Sequence, residues 1–497
     1  MPAANVTSPA RSGRNQLGAL LLLSVTGYVI LALWFPLIPN VTVAPPGDVR
    51  SFAPGLLGGV AYAVLVIALF GLFLAAVRMA AEKGMGSRPL LTLVGGTLLL
   101  AVPLLMTYPV NAIDIFGYVI RGRIASTYGE NPFTAPADRF IGDPFMPLVG
   151  EWAGETTPYG PLWEMVASGL TALSGDNLAA GVLLFKLLML FCFLTAAVLI
   201  WKLLPESPSR AASTMLWAWN PGLLLTFIMD GHNDALMLLW LVLGYWLNRR
   251  GHQVAGFLVM VLAVVTKPVA LLALPFFFVE VWRSLPSGRE RVRFGALTFT
   301  GSLVIVWLAF LPWAGASGVL QIALYLALRL AREATGGAGF SPAVWIYMTF
   351  GGRMSIEAIG RVMQALFVVF SLWLIWRAAR GRSSLRGAAD IFFGYMATAL
   401  NYRIWYAVWP FPFLLLDAEG DKGMDTASAR RADYRLRVGL WFLVTSQLSV
   451  ILYGHVRQFF LGGDQTLAHL IGVPFVFALP WFLALIPVRL SRLVHGG

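Results

Sequence analysis

Long apolar runs alternate with short polar connections along almost the whole chain. Many runs are about 20 residues long, the length that a helix needs to cross the hydrocarbon core of a bilayer. Only helices and closed barrels satisfy their backbone polar groups in lipid, and barrel strands alternate in polarity over about ten residues. The continuous runs therefore predict an all-α polytopic membrane protein. We place about 14 transmembrane segments at residues 16–38, 54–77, 90–110, 179–203, 211–229, 233–248, 254–266, 268–282, 294–313, 356–376, 388–400, 404–417, 438–454 and 466–488.

Two assignments are open for residues 255–282. A single long span would place the four arginines of the segment 283–293 on the outer side and would invert every later loop. Two short helices that meet near Lys267 and Pro268 keep lysine and arginine in every second loop, as the positive-inside rule requires. We therefore expect a helical hairpin here.

Composition agrees with this picture, because 58% of the 497 residues are hydrophobic and only 12% are charged. The net charge of +12 does not indicate a nucleic-acid partner, since the basic residues follow the alternation of the loops. With the N-terminus inside, the number of segments is even and both termini are cytoplasmic. We expect one domain over residues 1–497, with an N-terminal tail and hairpin (1–89), a large extracytoplasmic loop (111–178) and a cytoplasmic connector (417–437).

The large loop 111–178 contains eight of the 24 acidic residues of the chain. On a helix, Asp114, Tyr118 and Arg121 fall at i, i+4 and i+7 and form one polar stripe opposite an apolar side. This pattern is typical of a helix that lies in the membrane interface. Asp114 at the mouth of a membrane cavity would suit a general base, because burial raises a carboxylate pKa. The alternative is a loop helix anchored by aromatic residues, with a solvated aspartate.

A second polar group lies in the turn that contains Asp230, His232, Asn233 and Asp234. Such a cluster between two apolar segments is costly unless it faces water or a ligand. The alternative is a polar turn that caps two helices, with Asp234 at a helix start. None of the five histidines forms HExxH or a similar spacing, so we expect no metal site.

Lys267 lies far from either end of the apolar stretch 254–282. A lysine at that depth implies a cavity or a partner, and phosphate is a natural partner for a compact ammonium group. The alternative is an ion pair with a neighbouring carboxylate. Lys186 is near the end of its segment, and we expect it to extend to the membrane surface.

Aromatic residues surround Arg403 in the segment 401–410, where Trp405 and Tyr406 follow it closely. An interfacial aromatic belt explains much of this pattern. The alternative is sugar stacking, with Arg403 on a phosphate. The chain has no GxxxxGK[ST] motif, no GxGxxG that opens a helix after a strand, and no Asp-x-Asp pair, so a soluble nucleotide donor is poorly supported.

Taken in order, the motifs resemble those of the polyprenol-phosphate-mannose-dependent mannosyltransferases of the GT-C type. They are similar in particular to the actinobacterial α-1,6-mannosyltransferases of lipomannan and lipoarabinomannan synthesis. The resemblance covers roughly residues 90–415 and is carried by the helix from Asp114 to Arg123, Gly129-Glu-Asn-Pro-Phe133, Pro158-Tyr-Gly-Pro161, Gly231-His-Asn-Asp234, Lys267 and Trp405-Tyr406…Trp409-Pro410. It implies that Asp114 is the catalytic base. Many members have a tyrosine where this chain has Phe133, so one hydroxyl is absent.

The residues and the resemblance together predict an enzyme that transfers a hexose, with mannose favoured, and inverts its anomeric configuration. The donor is a polyprenyl-phosphate sugar in the bilayer, and the acceptor is a glycan or glycolipid on the extracytoplasmic side. Neither a metal nor a cofactor is required. The donor phosphate would contact Arg121, Arg123, Lys267 and Arg403. The sugar or the acceptor would contact Tyr118, Asn131, Tyr159, Asp230, His232, Asn233, Asp234, Trp405 and Tyr406.

Two other functions compete with this one. A transporter or lipid flippase also has polar groups among many spans, but it predicts repeat symmetry and charges at mid-bilayer. An envelope glycan ligase would share the lipid-linked donor chemistry but use a diphosphate carrier.

Overall fold

The computed structural model describes residues 9–335, 339–350, 353–419 and 426–486. Within these ranges the chain is helical, and its only β-type pairing is an isolated bridge between Pro36 and Thr107. The α-helices are α1 Pro9–Trp34, α2 Leu37–Asn40, α3 Val49–Phe52, α4 Gly55–Lys83, α5 Pro89–Leu105, α6 Asp114–Ser126, α7 Pro161–Ser174, α8 Leu178–Leu203, α9 Arg210–Ala218, α10 Pro221–Leu224, α11 Asp234–Arg249, α12 Gln253–Thr266, α13 Leu274–Ser284, α14 Gly288–Thr335, α15 Pro342–Thr349, α16 Ile356–Ala379, α17 Ser384–Thr398, α18 Phe411–Glu419, α19 Thr426–Ile451, α20 Gln465–Phe477 and α21 Leu479–Leu483. Short 3-10 helices span Ala137–Arg139, Met146–Leu148, Gly150–Trp152, Pro268–Leu272 and Ile404–Val408, and π-helical turns span Leu225–Met229 and Leu452–Phe460.

The structure confirms the all-α membrane class. Seven helices in the described ranges are long and apolar enough to cross a bilayer, and they span Asn15–Trp34, Gly55–Lys83, Leu178–Leu203, Gly288–Ala314, Ile356–Ala379, Thr426–Phe460 and Gln465–Leu483. The other seven predicted segments form shorter or interrupted helices. For example, the segment 211–229 breaks into α9, α10 and a π-helical turn.

The helical break predicted at Lys267 is present. α12 ends at Thr266, and Lys267 is extended, with φ −145° and ψ 111°. Pro268 explains the break, because proline disfavours a helical conformation in the residue before it and lacks an N–H to continue the ladder. At the far end of α13, Arg283 donates to the carbonyl oxygen of Ala378 at 3.3 Å. Phe257 near the start of α12 and Phe278 in α13 have ring centres 5.6 Å apart, so the two helices lie side by side and the segment turns back as a hairpin.

α14 is the largest departure from the predicted segments. A span was expected at 294–313, followed by a loop, but one helix continues for 48 residues from Gly288 to Thr335. At 1.5 Å per residue its length is about 72 Å, more than twice the hydrocarbon thickness of about 30 Å. Pro312 lies inside the helix without ending it. A second apolar stretch, Gly318–Leu328, follows the proline and sustains the helix.

The helix α6, which was predicted to have one polar exposed side, is enclosed by protein on all sides. α6 begins at Asp114 as expected, but every residue from Asp114 to Ile124 is buried, not only those on the apolar side. α7 lies so close to α6 that a Cβ atom on Gly122 would be 2.5 Å from the carbonyl oxygen of Ala167. The prediction of one exposed polar face was therefore wrong, because α7 covers that face.

One hydrophobic core contains residues from Leu17 in α1 to Val476 in α20. Parts of the predicted N-terminal tail and cytoplasmic connector, residues 1–8 and 420–425, lie outside the described residues, as does the segment 487–497.

Candidate active site

Polar side chains from five separate segments meet at one end of the helical bundle. They come from the start of α6, the PYGP segment, the turn at 230–234, the segment at Lys267, and the aromatic segment 402–409. Tyr159 donates its hydroxyl to Asp114 Oδ1 at 3.2 Å, and Lys267 Nζ is 2.8 Å from Asp234 Oδ1. The sequence predicted these groups separately, and the structure brings them together.

Asp114 occupies the first position of α6 and is 9% exposed. The N-terminus of a helix carries a partial positive charge, which favours a carboxylate there. No lysine, arginine or histidine in the described part of the chain lies within 4.0 Å of this carboxylate. Its hydrogen bond from Tyr159 engages Oδ1. The carboxylate of Asp114 is therefore held by a hydrogen bond and not by an ion pair.

Lys267 forms the ion pair that was the alternative interpretation. Its ammonium group is 2.8 and 2.9 Å from the two oxygens of Asp234 and 3.4 Å from Asn233 Oδ1. Trp409 also donates its indole N–H to Asp234. Because an ammonium group has three donors, these contacts account for its hydrogen-bonding capacity. The charge of Lys267 is balanced within the protein.

A sharp turn places His232 and Asn233 in the cluster. It follows the π-helical turn Leu225–Met229, a rare conformation that often occurs at functional sites. Gly231 has φ +70°, which favours glycine, and a Cβ there would be 2.4 Å from Ile115 Cδ1. The turn therefore depends on glycine both for its backbone angle and for its packing against α6.

His232 is neutral at pH 7, because burial lowers the pKa of its imidazole to about 4. Its ring stacks on Trp405 with a centroid distance of 4.3 Å and an interplanar angle of 24°. Nδ1 is 3.5 Å from the hydroxyl of Tyr118, while Nε2 is buried without a partner. Asn233 accepts from Tyr118 at 3.4 Å, and its Nδ2 also has no partner.

Asp230 and Lys186 form hydrogen bonds to the backbone at the end of α5 and in the segment between α5 and α6. Asp230 Oδ1 accepts the backbone N–H of Asn111 at 3.3 Å, and burial raises the pKa of this carboxyl well above its usual range. Lys186 was expected to extend to the membrane surface, but it is fully buried. Its ammonium group donates to the carbonyl oxygens of Leu104, at 3.2 Å, and Thr107. The snorkelling prediction was wrong because the open carbonyls at the end of α5 provide an internal partner.

Arg121 and Arg123 are two residues apart but differ in their hydrogen-bond and ion-pair partners. Arg123 donates to Asp143 at 2.7 Å, Asp176 at 2.6 Å and the carbonyl oxygen of Gly175 at 2.6 Å. Its donors are thus occupied by the loop, and the structure does not bring it to the cluster. Arg121 is 5% exposed and has no ion pair in the described ranges, and its Nε has no hydrogen-bond partner. Its guanidinium carbon is 6.0 Å from the ring centre of Tyr159.

Glu164 is a buried carboxylate that the sequence interpretation overlooked. Its Oε1 accepts the hydroxyl of Thr157 at 2.5 Å, and its Oε2 has no partner. Burial raises the pKa of this carboxyl to about 7, although the charge of Arg121 opposes the shift. The signal was present in the sequence, because Glu164 is the only charged residue in α7.

Three predicted site residues have their contacts elsewhere: Arg403 and Asn131 bind other segments, and Tyr406 packs against Trp409. Arg403 is 3.9 Å from Glu151 and lines a cavity together with Trp405. Asn131 donates to the carbonyl oxygen of Trp313 at 2.6 Å and so ties the loop to α14. Tyr406 stacks on Trp409 at 4.0 Å.

Phe133, at the position where a tyrosine hydroxyl is absent, is surrounded by apolar side chains. Phe133 is 3% exposed and packs in a small apolar cluster with Phe310, Val319 and Leu326. Its ring centre is 5.9 Å from that of Trp313.

The described residues contain no group of three or more His, Cys, Asp or Glu side chains placed to hold a metal ion.

We expect Lys267→Met to destabilise the protein by about 3–5 kcal/mol, because it leaves Asp234 charged and unpaired in the interior. Thermal unfolding in detergent measures this loss, with the folded fraction at each temperature determined by size-exclusion chromatography. The double variant Lys267→Met/Asp234→Asn should recover part of the stability, since no uncompensated charge remains. Lys83→Met, at an exposed lysine, is the matched control and should change stability by less than about 0.5 kcal/mol. A double variant no more stable than Lys267→Met would contradict the ion-pair explanation.

The sequence model of the family described as "Alpha-(1->6)-mannopyranosyltransferase, N-terminal domain" matches residues 17–283, more than half of the chain. The chain is 29% identical to alpha-(1->6)-mannopyranosyltransferase A of Mycobacterium tuberculosis over 375 residues, which cover 67% of this chain and 68% of that protein. It is also 29% identical to alpha-(1->6)-mannopyranosyltransferase A of Corynebacterium glutamicum over 201 residues, which cover 40% of this chain and 39% of that protein.

Proposed function

The chain belongs to the alpha-(1→6)-mannopyranosyltransferase family, and we propose that the cluster around Asp114 transfers mannose from a polyprenyl-phosphate donor to a glycan acceptor. The observation that carries this proposal is a set of buried polar atoms without partners: Arg121 Nε, Trp163 Nε1, Glu164 Oε2, His232 Nε2 and Asn233 Nδ2. Buried polar groups in proteins are almost always hydrogen-bonded. Several unpaired ones around one free carboxylate are what a site for a hydroxyl-rich, anionic ligand requires.

Asp114 is the general base in this proposal. It takes the proton of the acceptor hydroxyl as that oxygen attacks the anomeric carbon of the donor sugar. One carbon–oxygen bond forms while the bond from the anomeric carbon to the phosphate oxygen breaks, so the configuration inverts. The hydrogen bond from Tyr159 fixes the carboxylate for this step.

Arg121 stabilises the negative charge that develops on the departing lipid phosphate. The donor is a phosphodiester with one charge, and the product phosphate gains a second. An unpaired guanidinium in a buried site stabilises that charge more strongly than it would in water. Lys267 is less suited to neutralising the phosphate, because Asp234 already balances its charge. It orients Asn233 and Asp234 toward the sugar.

Neutral His232 and Asn233 bind sugar hydroxyl groups with their free nitrogen atoms. Tyr118 forms the wall behind the sugar, where its ring lies 5.2 Å from Tyr159 and 4.9 Å from Trp163.

The site faces the extracytoplasmic side in this proposal. The opposite end of the bundle holds the arginines between α16 and α17 and those in the first part of α19, where Arg386 pairs with Asp417 at 2.9 Å and Arg435 with Asp390 at 2.5 Å. Basic loops mark the cytoplasmic side. A lipid-linked donor would then enter from the outer leaflet.

Transfer by the purified protein in lipid nanodiscs tests the donor. We expect radiolabelled mannose to pass from polyprenyl-phosphate mannose to an oligomannoside, and not from GDP-mannose supplied alone. The anomeric configuration of the product, read by NMR, should be opposite to that of the donor. Efficient transfer from GDP-mannose without a lipid carrier, or retention of configuration, would refute the proposal.

A further inference from the structure

A cavity of about 490 Å³ opens beside the cluster. This volume is within the range of about 300–1,000 Å³ that is typical of sites for small-molecule ligands. Its walls come from segments at the same end of the bundle as Asp114, namely 48–50, 110–111, 339–340, 401–405 and 449–457, together with Glu151.

Trp405 separates this cavity from the cluster. It lines the cavity and also stacks on His232, with 4.3 Å between the ring centres. Asn111 is a second point of contact, because it lines the cavity three residues before Asp114 and its backbone N–H binds Asp230. A ligand in the cavity therefore reaches the cluster at Trp405 and Asn111.

The charges along the wall are nearly balanced. Arg50 is 2.5 Å from Asp48 and 3.4 Å from Gln458, and Arg403 is 3.9 Å from Glu151. Arg457 has no carboxylate within 4.0 Å among the residues described here, and its guanidinium carbon is 4.7 Å from the ring centre of Tyr453.

This lining fits a neutral, hydroxyl-rich ligand. Guanidinium and carboxylate groups that stand side by side offer donors and acceptors to adjacent hydroxyl groups, and aromatic rings offer flat apolar surfaces. A lipid tail would place these charged groups against hydrocarbon in exchange for water, which is costly. A strongly anionic ligand would meet the carboxylates of Asp48 and Glu151 as well as the arginines.

We propose that this cavity is an extended acceptor site, which binds the second and third sugar residues of an oligosaccharide while the terminal sugar presents its hydroxyl to Asp114 beside Trp405. The proposal rests on the proposed function. It moves Arg403 from the donor phosphate to the acceptor and adds Arg457 as a residue that discriminates acceptor length. Arg457 is suited to this role because no carboxylate competes for its donors.

Direct binding of manno-oligosaccharides of one to four residues to the purified protein, without donor, tests the inference. We expect the affinity to rise at least tenfold from the monosaccharide to the trisaccharide. Arg457→Ala should weaken trisaccharide binding about tenfold, since a hydrogen bond from a charged group contributes on that order. It should leave monosaccharide binding unchanged. Arg353→Ala, at an exposed arginine outside the cavity lining, is the matched control and should change neither.

The inference is overturned if affinity does not depend on length, or if Arg457→Ala weakens all lengths equally or none of them. It is also overturned if an inositol phosphate binds in the cavity in place of the neutral trisaccharide. Because no turnover is needed, a length-dependent affinity that requires Arg457 supports the cavity even if transfer from the lipid donor fails. In that case only the proposed donor chemistry falls.

Discussion

Asp114→Asn should lower transfer by about 10²–10⁴-fold, the usual contribution of a positioned general base. The amide keeps the size of the side chain and can still accept the hydroxyl of Tyr159, but it cannot take a proton from the acceptor. The measurement is single-turnover transfer from polyprenyl-phosphate mannose at saturating acceptor. Acceptor binding and thermal stability should stay close to those of the unsubstituted protein.

Asp138→Asn is the matched control, because Asp138 is an exposed carboxylate in the same loop. It should retain full activity. If Asp114→Asn were equally active at matched expression, the base would have to be another carboxylate, and Glu164 would be the first to examine, because its Oε2 is buried without a partner.

Arg121→Gln should lower activity without lowering stability, whereas Arg123→Gln should lower stability. Both substitutions remove one positive charge from α6. Arg121→Gln should lower kcat/KM for the donor about 10²–10³-fold, because it removes the unpaired cation that we propose contacts the phosphate. Its thermal stability should be equal or higher, since no ion pair is lost. Arg123→Gln should cost about 3–5 kcal/mol of stability, because Asp143 is left charged and fully buried.

The two arginine variants are read together in thermal unfolding and in donor kinetics. Each serves as the control for the other. A loss of stability in Arg121→Gln with unchanged donor kinetics would show that Arg121 is a structural cation, and the phosphate would need another partner.

The helical segments were predictable because a long apolar run in a bilayer has to form a helix to satisfy its backbone polar groups. Each predicted segment contains helix in the structure, and the break at Lys267 followed from one proline and the distribution of arginine. The length of α14 was not predictable in this way, because a proline at position 312 usually marks an end. Nor was the enclosure of α6, which depends on the close packing of Gly122 against α7.

The site was partly predictable for a related reason. A polar group such as Asp114 or Lys267 stands out in an apolar chain, and the cost of burying it implies a partner or a ligand. Which of the two it has depends on residues distant in sequence. Nothing in the spacing separates Arg121 from Arg123, because Asp143 and Asp176 lie 20 and 53 residues after Arg123.

The stacked side chains of Trp405 and His232 form a wall that affects the order in which the two substrates can bind and leave. If the lipid donor reaches Asp114 from the bilayer and the acceptor from the cavity, the two substrates do not share an entrance. Neither has to leave before the other binds. The spent carrier can then be exchanged for a fresh one while the lengthened glycan stays bound and moves back by one sugar residue, so that successive additions to one chain need no intervening release.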